Sequence, residues 1–420
     1  MDLDALAAAN SIALDSAANG WLTLSRESWK AVNDIHANGV DPLKENWKDK
    51  VGASAGQKLE EQARILETGA DLTRAVAMIL DGLGSNVARA KITMNAALDM
   101  ANQYGLTVDR ATGLVHNGSG TPDSSTDNAV QEINAMLREA LREAAQADAQ
   151  AAAELRKLGA ATCETDPQRA LDDYQGEASR IEINMYSGSI PDGSDPRLVT
   201  DWWNALPESQ HQQLMRSDPV TLANLPGIPD SVKLELHGGP NAKYDPVKTV
   251  QWALEHWDDT SVDRFDDNCT NFASEALHQG GLHAKGDSLW GWRGDDTWGR
   301  SDDSGKDWLS QRLDYSKSWA GAQNMHDFMV HHGGQELSPD QVRPGDIVYY
   351  EEESDQDGET GKNVIHHTAV VTAVTPTGDI KYTQHSGGQQ NASVDGRIDA
   401  FQEHRGQQKL HFVRVSPDWY

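Results

Sequence analysis

Apolar positions recur at three- and four-residue spacing through residues 2–158, a region rich in Ala, Leu, Glu, Lys and Arg. This spacing places apolar side chains along one helix face, so it predicts amphipathic α-helices. Because Asp41-Pro42 disfavours continuation of a helix, we expect a first helix to end near Gly39. A second helix is predicted from about Leu43 to Gln103, folded back on the first as a hairpin.

A third helix is predicted from about Asn128 to Leu158. Before it, residues 106–109 and 113–116 alternate in hydrophobicity around a short polar turn, which predicts a small β-hairpin. The whole region 1–160 is therefore expected to be an all-α helical hairpin or bundle domain with one minor β element.

The pattern changes after residue 160. Residues 161–195 are polar and interrupted by glycines and prolines, which is typical of a linker, and residues 196–230 carry the pair Trp202-Trp203 between turn-forming segments. We expect this Trp pair to fill a contact between domains. The chain is accordingly divided into a helical domain (1–160), a linker with a Trp-bearing connector (161–239) and a C-terminal domain (240–420).

The C-terminal domain mixes helices and strands. Residues 250–257 and 268–277 have helical periodicity, and the second helix is expected to end at Gly280-Gly281. Residues 342–350, 365–374 and 380–385 are rich in β-branched and aromatic residues, and residues 375–379 fit a three-residue hairpin loop. These elements predict an α+β fold with an antiparallel sheet, in a multidomain protein.

Cys269 falls in the first turn of the predicted helix 268–277. Unsatisfied N–H groups at a helix start hold partial positive charge and lower a cysteine's pKa, which favours the nucleophilic thiolate. The alternative is structural, because a cysteine within a helix is more often a small buried apolar residue.

A histidine base is predicted on the neighbouring strands. If Thr375 pairs with Asp379, then Ala369 lies opposite His385, and His367 lies one diagonal step away on the same face. This register predicts His367 as general base and His385 as the group that orients its ring. Backbone N–H groups at the helix start, with Asn268 or Asn271, are the predicted oxyanion donors.

The net charge of the chain limits the kinds of partner that it can bind. The chain carries 65 acidic against 36 basic side chains, a formal charge of −29, so nucleic acid and anionic membrane surfaces are excluded as favoured partners. No stretch approaches the roughly 18 apolar residues of a membrane span, and the N-terminus lacks the pattern of a secretory signal peptide. Two cysteines allow at most one disulfide.

A metal site is the main chemical rival to the cysteine. Histidines crowd the C-terminal region, namely His326, His331, His332, His366, His367, His385 and His404. The sequence has no His-Glu-x-x-His helix or paired Cys-x-x-Cys, and neighbouring histidines on a strand point to opposite faces. We therefore expect no cofactor and no metal, with one zinc site as the alternative.

Residues 244–419 resemble the bacterial amidase domains related to the CHAP and NlpC-type peptidases of the papain-like superfamily. The matching features, in order, are residues 268–272 with Gly280-Gly281, residues 317–319 opening a helix, residues 344–348, residues 367–371 and residues 384–386. The resemblance implies a papain-like fold with Cys269 as nucleophile, His367 as base and His385 as third member. Glu275 departs from the glutamine usual in that family.

The N-terminal region resembles the WXG-type helical hairpins of type VII secretion substrates, through Trp47 followed by residues 51–55 between two long helices. In this chain the glycine comes five residues after the tryptophan, rather than two. The resemblance implies export without a signal peptide and a secretion chaperone as partner. The alternative is a helical packing domain with a core tryptophan, in a protein that stays cytoplasmic.

Together these features predict a cysteine hydrolase, an amidase or peptidase that cleaves amide bonds through a thioester intermediate. The resemblance and the modular order imply peptidoglycan peptides as substrate, and a secreted effector or toxin with an immunity protein as partner. Two alternatives stay open: acyl transfer or deamidation on a protein target, and a non-catalytic binding or structural protein.

Overall fold

A computed structural model describes residues 1–116, 124–191, 193, 195–286, 292, 294, 296–301, 315–353, 361–385, 387–396 and 408–420. The chain divides into two compact units, Met1–His211 and Gln212–Tyr420. The predicted connector 161–239 is shared between them, so the three-part division stays a prediction. Both cysteines are free thiols, Cys163 exposed and Cys269 buried.

The first unit is helical, as predicted. Its α-helices are α1 (Leu3–Ala8), α2 (Ser11–Ile35), α3 (Asp41–Asn46), α4 (Lys50–Gln103), α5 (Ser124–Ala160), α6 (Pro167–Arg169), α7 (Glu177–Ser187), α8 (Pro196–Ala205) and the start of α9 (Glu208–Ser217), with π-helical segments at His36–Val40 and Ala170–Gly176. Helix α2 packs along α4, and the Ser25 hydroxyl donates to the Ala70 carbonyl oxygen at 2.9 Å. The predicted hairpin of two long helices is confirmed.

The break between these helices lies later than predicted. The chain stays helical through Asp41-Pro42, because the proline sits in the first turn of α3, where its missing N–H costs nothing. Helix α4 begins instead at Lys50, where the Asp49 carboxylate accepts hydrogen bonds from the amides of Val51 and Gly52 at 2.8 and 2.9 Å. The predicted start at Leu43 is wrong.

The small hairpin between α4 and α5 is confirmed. Strands β1 (Thr107–Val108) and β2 (Val115–His116) pair antiparallel. In α8 the predicted pair Trp202 and Trp203 is buried, and Trp203 stacks on His211 at 3.9 Å between ring centroids. No α-helix in the described part of the chain combines the length and apolar character of a bilayer span.

The second unit combines helices with a six-stranded antiparallel sheet, as predicted. Its helices are α10 (Pro219–Asn224), α11 (Asp230–Leu236), α12 (Pro246–His256), α13 (Cys269–Gln279), α14 (Lys317–Ala320) and α15 (Ala322–His331), with 3₁₀ turns at Thr260–Val262 and Pro339–Gln341. Its strands are β3 (Gln335–Leu337), β4 (Ile347–Glu352), β5 (Ile365–Val374), β6 (Ile380–Gln384), β7 (Gln389–Ser393) and β8 (Gln408–Arg414). They lie in the order β3-β8-β4-β5-β6-β7.

The two faces of this sheet have separate cores. On β4, Ile347 and Tyr349 pack into a cluster with the apolar side of α13, whereas Val348 and Tyr350 pack into a second cluster with residues of neighbouring strands. Side chains alternate between faces along a strand. The faces that the histidines of β5 and His385, the residue after β6, occupy therefore follow from the register of these strands.

The β5–β6 hairpin forms as predicted at its turn, but its register shifts further along. The Thr375 amide donates to the Asp379 carbonyl oxygen at 2.9 Å, and Gly378 adopts the left-handed φ of 87°. Between Val371 and Ala373 the pairing shifts by one residue, so Val370 pairs with Thr383. This bulge puts Gln384 where the predicted register placed His385, and that register is wrong.

Candidate active site

Cys269 opens α13 and is 5% exposed. The helix forms because Phe272, Ala273, Ala276 and Leu277 recur at helical spacing and are buried against the sheet and its neighbouring helices. The Cys269 sulfur lies 3.7 Å from the Thr270 hydroxyl and close enough to the Thr368 backbone amide on β5 to feel its dipole. The candidate nucleophile therefore lies near the peptide that joins His367 to Thr368.

Burial raises the pKa of the Cys269 thiol above its ordinary value. The Thr270 hydroxyl and the Thr368 amide favour the thiolate, but the loss of solvent outweighs them. This direction is opposite to the lowered pKa expected from the helix start alone. A thiol with a raised pKa is mostly protonated near neutral pH, so it needs a base before it can attack.

His367 is fully buried, and its Nε2 lies 2.5 Å from Gln384 Oε1. It pairs across strands with Tyr350, whose ring centroid is 5.4 Å away, so its side chain lies on the sheet face of the second cluster. With Gln384 Oε1 as acceptor, Nε2 carries the proton and Nδ1 is the basic nitrogen. The structure brings together His367 and Gln384, rather than His367 and His385.

His385 lies on the opposite side, towards α13. Its ring stacks on Phe272 at 5.6 Å between centroids. Its Nδ1 is 2.8 Å from the Trp257 carbonyl oxygen, and its Nε2 is 2.6 Å from an Asp263 carboxylate oxygen. Both ring nitrogens thus face oxygen atoms, which fix the orientation of the His385 ring.

The predicted oxyanion residues brace the start of α13. Asn268 Oδ1 accepts from the Arg264 amide at 3.2 Å and from Asn271 Nδ2 at 2.9 Å. Asn271 Oδ1 in turn accepts from Trp319 Nε1 at 2.8 Å. Both side chains hold the loop before Cys269 to the helix and to α14, and their direct contact with an oxyanion stays a prediction.

Glu275, the departure from the family pattern, forms an ion pair with Arg300. The Arg300 guanidinium donates from Nε to Glu275 Oε1 at 2.5 Å and from a terminal nitrogen to Oε2 at 3.1 Å. The Glu275 side chain is 6% exposed, so the carboxylate on α13 is neutralised where it is buried.

Among the tryptophans after α13, Trp298 and Trp319 are buried in the core, and Trp292 and Trp419 are half-buried. Trp298 is fully buried, and its Nε1 donates to the Ser274 hydroxyl at 3.2 Å. Trp290, Trp308, Ser386 and His404 lie outside the described residues. A cavity of about 320 Å³ in the second unit is lined by residues such as Arg216, Asp340 and Arg414, away from Cys269.

Sequence reasoning missed Gln384 and Asp263 as partners of the two histidines. Gln384 directly precedes His385, so strand alternation alone could have nominated it, but only a bulge at Thr372 assigns it to the His367 face. Asp263 lies in an acidic loop whose residues are alike in sequence. Only the fold singles it out.

Comparisons with known proteins match parts of this chain. No solved structure matches significantly. Over 138 residues the chain is 28% identical to "Uncharacterized protein YhbB" of Bacillus subtilis (strain 168), an alignment that covers 31% of this chain and 38% of that protein. The chain thus spans well under half the length of this curated relative. Residues 243–411, which include Cys269, His367 and His385, match the protein family described as "Putative amidase domain".

Proposed function

We propose that the second unit is a papain-like, cysteine-dependent amidase or peptidase in which Cys269 is the nucleophile and His367 the base. The observation that carries this proposal is the position of Cys269 in the first turn of α13, the helix that packs against β5. Strand β5 also carries His367, whose ring lies on the sheet face away from α13 and is oriented by Gln384. The amidase domain match covers all three residues.

The reaction would proceed through a thioester. For this step the His367 ring, which lies on the sheet face away from α13, would have to turn towards the sulfur. The thiol proton then passes to His367 Nδ1, and the sulfur attacks the amide carbonyl carbon. Backbone N–H groups in the first turn of α13 point towards the negative charge that develops on the carbonyl oxygen. The imidazolium returns its proton to the leaving amine, and water, deprotonated by the same nitrogen, then hydrolyses the thioester.

Gln384 serves in this proposal as the positioning residue. Its Oε1 accepts from Nε2–H and so keeps the lone pair on Nδ1, as a ring-orienting partner must. The sequence assigned that role to His385. The variants Gln384→Ala and His385→Ala show which of these two residues positions the His367 ring. Our proposal expects kcat to fall about 10- to 100-fold for Gln384→Ala, which is the range for the loss of an orienting contact.

Peptidoglycan peptides are the proposed substrate class, and a secreted effector or toxin the proposed setting. The first unit supports export by a type VII-like route, because Trp47 lies at the turn between α3 and α4, in a hairpin of two long helices. A chaperone and an immunity protein would then be its partners. Acyl transfer or deamidation would use the same thioester, with another acceptor replacing water.

The two free cysteines supply a matched test. Release of amide-cleavage products from purified muropeptides and from a peptide mixture is measured for wild type, Cys269→Ala and Cys163→Ala. The proposal expects Cys269→Ala to abolish release and Cys163→Ala, an exposed thiol of the first unit, to leave it unchanged. Release by Cys269→Ala at the wild-type rate would refute a cysteine mechanism. Binding without release by wild type would favour the non-catalytic alternative.

A further inference from the structure

Three titratable side chains outside the candidate active site lie together on the face of the sheet that the helices cover. They are His326 on α15, Glu336 on β3 and His411 on β8, whose potential ligand atoms all lie within 4.8 Å of one another. We propose that these three side chains form a binding site for a divalent transition metal, with zinc as the ion that they fit best.

The distances suit one shared ion. Glu336 Oε1 lies 3.3 Å from His326 Nε2 and 3.4 Å from His411 Nδ1. Two ligands that each bind zinc at about 2.0–2.1 Å with a tetrahedral angle are about 3.3–3.4 Å apart. Glu336 Oε1 is therefore spaced from each histidine nitrogen as two ligands of one tetrahedral ion are, and the two nitrogens lie within 4.8 Å of each other. Water would complete the coordination of a bound ion.

The ring nitrogen of each histidine that points away from Glu336 also lies next to a carboxylate oxygen. His411 Nε2 lies 2.6 Å from a Glu351 carboxylate oxygen, and His326 Nδ1 lies 3.1 Å from Asp327 Oδ1. A carboxylate that accepts from the outer N–H of a histidine fixes its tautomer and turns the other nitrogen's lone pair towards the metal. Both histidines have this partner, so both inner nitrogens are aimed at the common centre.

Charge and ligand type favour zinc over hard cations. Glu336, Glu351 and Asp327 place three carboxylates around two imidazoles, and a divalent ion would offset much of that negative charge. Two imidazoles with one carboxylate are typical zinc ligands, whereas magnesium prefers oxygen ligands and retained water.

Such an ion would fasten α15 to the β3–β8 edge of the sheet. His411 pairs across strands with Tyr349, and Tyr349 pairs with Thr368. The ion would therefore lie at one end of a cross-strand row of residues that reaches Thr368 in the candidate active site. The His326 ring contacts the Tyr349 ring edge-on at 5.1 Å. The site is therefore placed to stabilise the strands that carry Thr368.

Two alternatives to this zinc site predict different results in a binding experiment. Protonated histidines could form the same contacts as plain ion pairs, in which case no metal binds. A second group, Asp296, His331 and His332, also brings three candidate ligands together. In that group Asp296 and His331 are exposed, and the Asp296 carboxylate already pairs with the Lys285 ammonium at 2.5 Å.

The full chain is stripped with EDTA, dialysed against buffered Zn²⁺ and assayed for bound zinc by elemental mass spectrometry. We expect about one zinc per chain in wild type. His411→Gln and Glu336→Gln should each weaken binding at least about tenfold, and Glu351→Gln about 10- to 100-fold. His331→Gln is the matched control and should bind as wild type does. Mg²⁺ at the same concentration should not displace the zinc.

Thermal unfolding gives a second measurement. Zinc should raise the Tm of wild type and His331→Gln, but not that of His411→Gln, since an ion bound to the native state stabilises it by mass action. Equal Tm values without zinc show that the variants fold. Absence of zinc from wild type, or zinc binding that survives His411→Gln and disappears in His331→Gln, would overturn the proposal.

Discussion

The protonated state of the Cys269 thiol is open to a direct test that needs no substrate. The perturbation is pH. Burial raises the thiol pKa above its ordinary value of 9.0, so at pH 7 the thiolate fraction is below about 1%. Because only the thiolate reacts with iodoacetamide, we expect the alkylation rate to rise about tenfold for each pH unit between 7 and 9.

The assay uses a Cys163→Ser background, because Cys163 is exposed and would consume the reagent first. Alkylation of the peptide that contains Cys269 is followed by mass spectrometry under pseudo-first-order conditions. A free thiol in a short model peptide, whose alkylation rate must follow its own thiolate fraction at each pH, checks that the reagent behaves as expected. Restricted access to the sulfur lowers every rate by a common factor and leaves the slope unchanged.

A flat profile would refute this reasoning. If the alkylation rate changed less than about twofold from pH 6.5 to 9, the resting enzyme would hold a thiolate, stabilised by the helix start or by a histidine cation. The lowered pKa expected from the position of Cys269 in its helix would then describe the resting state better than its burial does.

Two further predictions concern stability. Glu275→Gln should lower the free energy of unfolding by about 1–3 kcal/mol, because it leaves the Arg300 charge without its bidentate carboxylate. The test is a double-mutant cycle with Arg300→Gln, measured by urea denaturation. If the losses of unfolding free energy in the two single variants add up to the loss in the double variant, the ion pair has no stabilising role. Gly52→Ala should lower the Tm, since a Cβ there would lie 2.1 Å from the Trp47 carbonyl oxygen and overpacking costs about 1–3 kcal/mol. The control Gly56→Ala, with nothing within 4 Å of its Cβ, should be neutral or stabilising. Equal effects of the two substitutions on the Tm would count against the contact with Trp47.

The helices were predictable from the sequence because their signal is periodic and local. The spacing of apolar residues located α2, α4, α5 and α13, and the Thr375–Asp379 turn followed from its Pro and Gly. The start of α4 was misplaced because Pro42 can either end a helix or occupy its first turn. The side chain that decided the outcome was Asp49, whose carboxylate caps α4.

The candidate site was less predictable because it depends on register. Cys269 is predicted from its helix position and His367 from its strand, and their catalytic roles stay predictions. One inserted residue at Thr372 gives His367 the partner Gln384 in place of the predicted His385. No local pattern marks that bulge. Likewise, the sequence does not mark His411 as a ligand, since its neighbours His326 and Glu336 come from distant positions in the chain.

The most direct test of a cysteine acyl-enzyme is to look for it on Cys269. Wild type and Cys269→Ser are incubated with muropeptides, quenched in acid during turnover and digested for mass spectrometry. The account predicts an adduct of the substrate's acyl half on the peptide that contains Cys269 in wild type, and amide release at least about a thousandfold slower in Cys269→Ser. Amide release by Cys269→Ser at the wild-type rate, with no adduct on Cys269 in wild type, would contradict it.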